Sequence, residues 1–145
     1  MNPLDQPILM SNWMNKSVLI VEDSHSCFKY FTEALKRTGV LLTRAETGPE
    51  ALEICCRRRQ QFDLIMVDIQ IPFINGIEVI REIRRQQPGR PVIAITAYSS
   101  NDIKQRCFVA GCYDYLVKPV TPGILLRSFR AFLEPNLADE KVHPV

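Results

Sequence analysis

The chain has 145 residues, 46% of them hydrophobic and 23% charged, which suits one globular domain built around one core. A formal net charge of +2 is too small for a surface made to grip nucleic acid or an anionic membrane. The 5 cysteines form no C-x-x-C or zinc spacing, the 2 histidines (His25 and His143) lie far apart, and no apolar run is long enough to cross a bilayer.

Residues 1–15 contain Pro3 and Pro7 and no hydrophobic period, and are expected to form an arm with Trp13 packing onto the domain. No secretory pattern precedes Lys16, and the odd cysteine count fits reduced thiols, so a cytoplasmic location is expected. Residues 17–22 read as the first strand. Cys27, Phe28, Phe31, Leu35 and Thr38 then recur at helical spacing, and Gly39 ends that helix. Residues 40–45 are a shorter, more polar strand suited to a sheet edge. Thr47 and Glu50 have the spacing of a capping box, ahead of a helix whose apolar face is Ala51, Leu52, Ile54 and Cys55.

Residues 63–67 form the third strand. A loop broken by Pro72 leads to Gly76 and a helix carrying Ile77, Ile80 and Ile83. Residues 91–95 are the fourth strand, 101–110 the fourth helix and 113–117 the fifth strand. Thr121 caps a last helix with Pro122 in its first turn, and Leu125, Phe129, Phe132 and Leu133 face the core. Arg57-Arg58-Arg59 and Arg81, Arg84 and Arg85 fall toward helix C-termini, where the helix dipole favours cations. Five strands alternating with helices predict an α/β fold, a doubly wound five-stranded parallel sheet. The domain is expected over residues 16–133, with residues 134–145 as a frayed tail and no room for an output domain.

Val18-Leu19-Ile20-Val21 and Leu64-Ile65-Met66-Val67 are unbroken apolar runs of the kind that form fully buried parallel strands. The first ends in Glu22 and Asp23, the second in Asp68. Two further runs end at Thr96 and at Lys118-Pro119. Open parallel sheets bind ligands outside the carboxyl ends of their strands, so these residues converge on one patch. Three crowded carboxylates repel one another unless a cation is present, and an open, oxygen-rich site suits Mg²⁺. Taken singly, Asp68 could shape a turn, Thr96 could close a strand and Lys118 could be solvated. Their joint occurrence points to metal-assisted phosphoryl transfer, with Asp68 as a carboxylate nucleophile. Proline makes a cis Lys118–Pro119 bond accessible, which would aim the lysine back into the patch.

Four segments carry a resemblance: Val18-Leu19-Ile20-Val21-Glu22-Asp23, Asp68-Ile69-Gln70-Ile71-Pro72 with Gly76, Ile95-Thr96-Ala97, and Asp114-Tyr115-Leu116-Val117-Lys118-Pro119. In order and spacing they resemble the response-regulator receiver domain of bacterial two-component and phosphorelay signalling, from about Lys16 to Leu133. The resemblance implies a flavodoxin-like receiver fold with strand order 2-1-3-4-5. It implies that Asp68 accepts a phosphoryl group from a histidine kinase or a histidine phosphotransfer protein. Asp23 and Asp68 would bind Mg²⁺ directly, Gln70 through its backbone carbonyl and Glu22 through water. The Glu-Asp pair departs from the Asp-Asp of many receivers.

By the same resemblance, Lys118, the Thr96 hydroxyl and the Ala97 amide would contact the phosphoryl oxygens. Thr96 and Tyr115 would form a conformational switch, while Gln70 and Tyr98 would flank the hydrolytic water and tune lifetime. The donor would dock near Ser24, Cys27 and Phe28. A downstream protein target would meet the fourth helix, fifth strand and fifth helix, including Lys104, Arg106 and Tyr115. The chain would then be a signalling receiver rather than an enzyme, catalysing its own phosphotransfer and slow autodephosphorylation, with no nucleic-acid or membrane partner.

Three rivals fit less well. A haloacid-dehalogenase-type phosphatase places a second Asp two residues after its nucleophile, where this chain has Gln70. A receiver-like module that is never phosphorylated would not need the full set of acids, Thr96 and Lys118. A nucleotide-binding flavodoxin-like protein would carry a Gly-rich phosphate loop after the first strand, and this chain has none there.

Overall fold

The structure is a computed structural model that describes residues 11–134; most of the expected arm and tail lies outside the described residues. The elements alternate: β1 (Ser17–Val21), α1 (His25–Leu35, extended by a 3₁₀ turn Lys36–Thr38), β2 (Leu41–Ala45), α2 (Gly48–Leu52, continuing as a π-helical turn Glu53–Arg57), β3 (Leu64–Asp68), α3 (Gly76–Gln86), β4 (Val92–Thr96), α4 (Asn101–Ala110), β5 (Asp114–Val117) and α5 (Pro122–Leu133). All strands pair in parallel in the order β2-β1-β3-β4-β5. This is the expected doubly wound sheet.

Successive side chains of a strand leave the sheet on opposite faces, and the three central strands are apolar on both. Val18, Ile20, Leu64, Met66, Ile93 and Ile95 pack with Phe31, Leu35, Leu125 and Phe129, the inward residues of α1 and α5. Leu19, Val21, Ile65, Val67, Val92 and Ala94 pack with Ala51, Ile54, Ile80, Ile83 and Cys107 of α2, α3 and α4. β3 and β4 are buried along their whole length. Their unbroken apolar runs are the sequence form of that two-sided burial.

Helix ends obey the local chemistry. Ser24, Thr47, Ser100 and Thr121 each accept a hydrogen bond from a backbone N–H in the first turn of the helix they precede. At Thr47 only half of the expected capping box forms. Thr47 Oγ1 accepts from the Glu50 N–H, but Glu50 Oε2 accepts from the Glu46 N–H, one residue earlier than the motif requires. Gly39, at φ 76°, takes the left-handed conformation that ends the 3₁₀ turn after α1. Trp13 is fully buried beneath α5: its ring packs on Phe129, its Nε1–H donates to Glu134 at 2.9 Å, and its backbone N–H donates to the Thr38 carbonyl.

Register brings the strand ends together. Val21 pairs with Val67, Asp68 with Ile95 and Thr96 with Val117, so the residues at and just beyond these positions line one edge of the sheet. Among the described residues no helix is long and apolar enough to cross a membrane.

Candidate functional site

The three acids meet at that edge. Glu22, Asp23 and Asp68 each present a carboxylate oxygen within 4.8 Å of the others. Glu22 and Asp68 are buried, whereas Asp23 is exposed. The charge balance comes from Lys118, whose Nζ donates to Glu22 Oε1 at 2.7 Å and to Asp68 Oδ2 at 2.8 Å. Burial works against the Lys118 ammonium, but its bonds to Asp68 and Glu22 outweigh that and hold its pKa above the ordinary lysine value. Burial raises the Glu22 pKa, against the opposing pull of Lys118 and the Ser24 N–H. The Lys118–Pro119 bond is cis.

Asp68 is oriented at both oxygens. Oδ1 accepts from the Gln70 backbone N–H at 2.9 Å, and Oδ2 accepts from Lys118. Glu22 is engaged in the same way, by Lys118 at Oε1 and by the Ser24 N–H at Oε2. Asp23 has no such side-chain partner among the described residues. A buried carboxylate flanked by a cation, beside an exposed and uncommitted one, offers the hard oxygen donors that suit a divalent cation such as Mg²⁺.

The remaining expected residues belong to β4, the segment that follows it, and β5. Thr96 Oγ1 is engaged with the Tyr98 main chain, donating to its carbonyl and accepting from its N–H, both at 3.1 Å. The Tyr115 hydroxyl donates to Ser99 Oγ at 3.1 Å. Tyr98 is exposed and borders a cavity of about 360 Å³ with Gln70, Thr96, Asn75 and Arg106. A larger cavity of about 490 Å³ opens beside Lys118 and Ala97, with Ser26, Cys27, Tyr30, Phe31 and Val120 on its walls.

Two contacts were not legible in the chain. Cys27 Sγ lies 3.6 Å from Lys118 Nζ. Arg44 reaches from β2 to the carbonyls of Glu22 and Asp23. A lone arginine in a short edge strand carries no signal of its own.

Gly76 fixes the approach of α3 to the end of β3. A Cβ on it would stand 2.5 Å from the Asp68 carbonyl oxygen and 2.5 Å from Ile69 Cα, both backbone atoms that cannot swing away. Gly76→Ala should therefore cost about 3 kcal/mol, the upper end for an overpacked methyl. Denaturant unfolding checks this; a loss below about 0.5 kcal/mol, within the range of neutral surface changes, would contradict it.

Comparison with known proteins agrees with this geometry. Residues 18–130 match the family model of the response regulator receiver domain. The polar-differentiation response regulator DivK of Brucella ovis is 34% identical over 122 residues, which cover 83% of this chain and 98% of that protein. The CheY-like receiver domain protein from Methanospirillum hungatei JF-1 superposes with a TM-score of 0.78 at 27% identity, over 86% of this chain and 98% of the other. The receiver domain of the sensor histidine kinase PA1611 from Pseudomonas aeruginosa PAO1, solved with a magnesium ion in its active site cleft, gives a TM-score of 0.74 at 30% identity. That match covers 82% of this chain and 98% of the other. Sequence and sheet order lead to the same place: the chain belongs to the response regulator receiver domain family.

Proposed function

We propose that Asp68 takes a phosphoryl group from a partner phosphohistidine, on a histidine kinase or a histidine phosphotransfer protein, and that the resulting acyl phosphate controls protein partners. The observation that carries this reading is Asp68 itself: a buried carboxylate held by Lys118 at 2.8 Å, with two further acids beside it. In the transfer an Asp68 oxygen bonds to phosphorus while the phosphorus–nitrogen bond of the donor breaks. The bonding pair returns to the imidazole nitrogen. Bound Mg²⁺ would supply positive charge against the phosphoryl oxygens; Asp23, Asp68 and the Gln70 carbonyl would hold it directly and Glu22 through water.

The protein's own groups do the rest. Lys118 moves with the charge from the Asp68 carboxylate to a phosphoryl oxygen, and the Ala97 amide and Thr96 hydroxyl donate to another. Thr96 must first release the Tyr98 main chain, and Tyr115 must release Ser99, for the pair to act as a switch between two conformations. That rearrangement would alter the face formed by α4, β5 and α5, the proposed surface for a downstream target. The donor would dock beside α1. Incubation with Mg²⁺ and either acetyl phosphate or a phosphohistidine protein, with intact-mass analysis of the product, tests the reading. No mass gain from either donor would sink it.

Tyr98 sets lifetime on this reading, because its phenol at the cavity rim with Gln70 can cover the phosphoryl group. Tyr98→Ala should lose the label about fivefold faster, equivalent to about 1 kcal/mol off the hydrolytic barrier. Decay measured with Mg²⁺ present and donor removed gives the rate. A decay equal to or slower than that of wild type would rule out the shield.

A further inference from the structure

We infer that Arg44 is a positioning residue for the metal site, setting the place of the Asp23 carboxylate by clamping its main chain; this rests on the Mg²⁺ reading above. Arg44 Nε donates to the Glu22 carbonyl and Nη2 to the Asp23 carbonyl, both at 3.0 Å. The guanidinium fork therefore spans two consecutive carbonyls of the acidic turn. Its side chain is only 17% exposed and stacks over the Phe28 ring at 5.4 Å, with Glu46 at 3.4 Å as its counter-charge. One residue of the edge strand thus joins α1, β2 and the turn after β1.

The clamp matters because of what Asp23 lacks. Glu22 has both carboxylate oxygens engaged and donates its backbone N–H to the Ala45 carbonyl, so several bonds besides the clamp fix it. The Asp23 carboxylate is exposed and has no partner among the described residues. Its distance from Asp68 depends on its backbone, and among the described residues Arg44 is the side chain hydrogen-bonded to that backbone. Groups that orient metal ligands from behind typically change affinity by about 10- to 100-fold when lost.

Charge and position predict opposite signs here, which makes the inference testable. Removing a cation from the turn that carries Glu22 and Asp23 should by electrostatics alone strengthen Mg²⁺ binding. Loss of the clamp should weaken it. Lysine keeps the charge but presents a point ammonium in place of the planar fork, so Arg44→Lys separates the two effects.

The experiment is calorimetric titration of MgCl₂ into wild type, Arg44→Lys, Arg44→Gln and Asp23→Asn, each confirmed folded by circular dichroism. Arg44→Lys, which keeps the charge, is expected to bind about tenfold more weakly than wild type, and Arg44→Gln to bind more tightly than Arg44→Lys because it also removes a cation. If Arg44→Lys binds within about threefold of wild type, or more tightly, the positioning role is overturned, since about threefold is the scale of a single weak contact. The Asp23→Asn arm keeps the two failures apart. If it binds as well as wild type, or if wild type binds no Mg²⁺, the metal reading fails and the clamp with it.

Discussion

Asp68→Asn should take up no phosphoryl group from a donor that labels wild type. The amide oxygen lacks the negative charge that makes a carboxylate a nucleophile, so no acyl phosphate can form at that position. The substitution is nearly isosteric and Asp68 is buried at the end of β3, so the sheet should remain intact. Glu22 and Asp23 lie within 4.8 Å of Asp68 and are the natural competitors for the label. Asp23 is exposed and has no side-chain partner among the described residues, so it is the acid that could pick up label if the assignment were wrong. Intact mass and peptide mapping after treatment with acetyl phosphate and Mg²⁺ decide between them; equal labelling of wild type and variant would move the phosphoacceptor to another residue.

The largest effect on stability is expected at Trp13→Ala, about 3–5 kcal/mol, the usual range for emptying a buried aromatic site. Trp13 is 1% exposed, its ring centroid is 6.5 Å from that of Phe129, and its indole N–H donates to Glu134 at 2.9 Å. Truncation would open a cavity under α5 and leave Glu134 without that donor. Trp13→Phe should lose less, because it keeps ring packing and forfeits only the hydrogen bond and part of the volume. Trp13 is the only tryptophan, so unfolding should be monitored by circular dichroism rather than by indole fluorescence. The residue precedes β1 at the amino edge of the sheet, opposite Asp68. Labelling of the folded fraction should therefore proceed as in wild type. A loss under about 1 kcal/mol, the typical effect of an ordinary substitution, would mean that the amino-terminal segment contributes little to the core.

The sequence alone determined the strands and the faces they present. Val18 to Val21 and Leu64 to Val67 are apolar at every position because both sides of a central parallel strand are buried, and period-two packing leaves that mark on any such chain. Helix starts were equally readable at Thr47 and Thr121, since an N-cap hydroxyl answers to its own first turn. The acids of the site were legible for a related reason: a charged residue directly after a buried run must sit at a strand mouth.

What only the tertiary structure decided were contacts between residues distant in the chain. Lys118 and Glu22 are 96 positions apart, Trp13 and Glu134 are 121 apart, and Arg44 reaches across strand pairing to the turn after β1. Glu50 belongs to the same class even at short range. Its spacing fits a capping box, yet its carboxylate accepts from the Glu46 N–H, just past the end of β2. Periodicity records whether a side chain is buried; which partner it meets there depends on register and helix packing, and these are fixed only when the sheet closes.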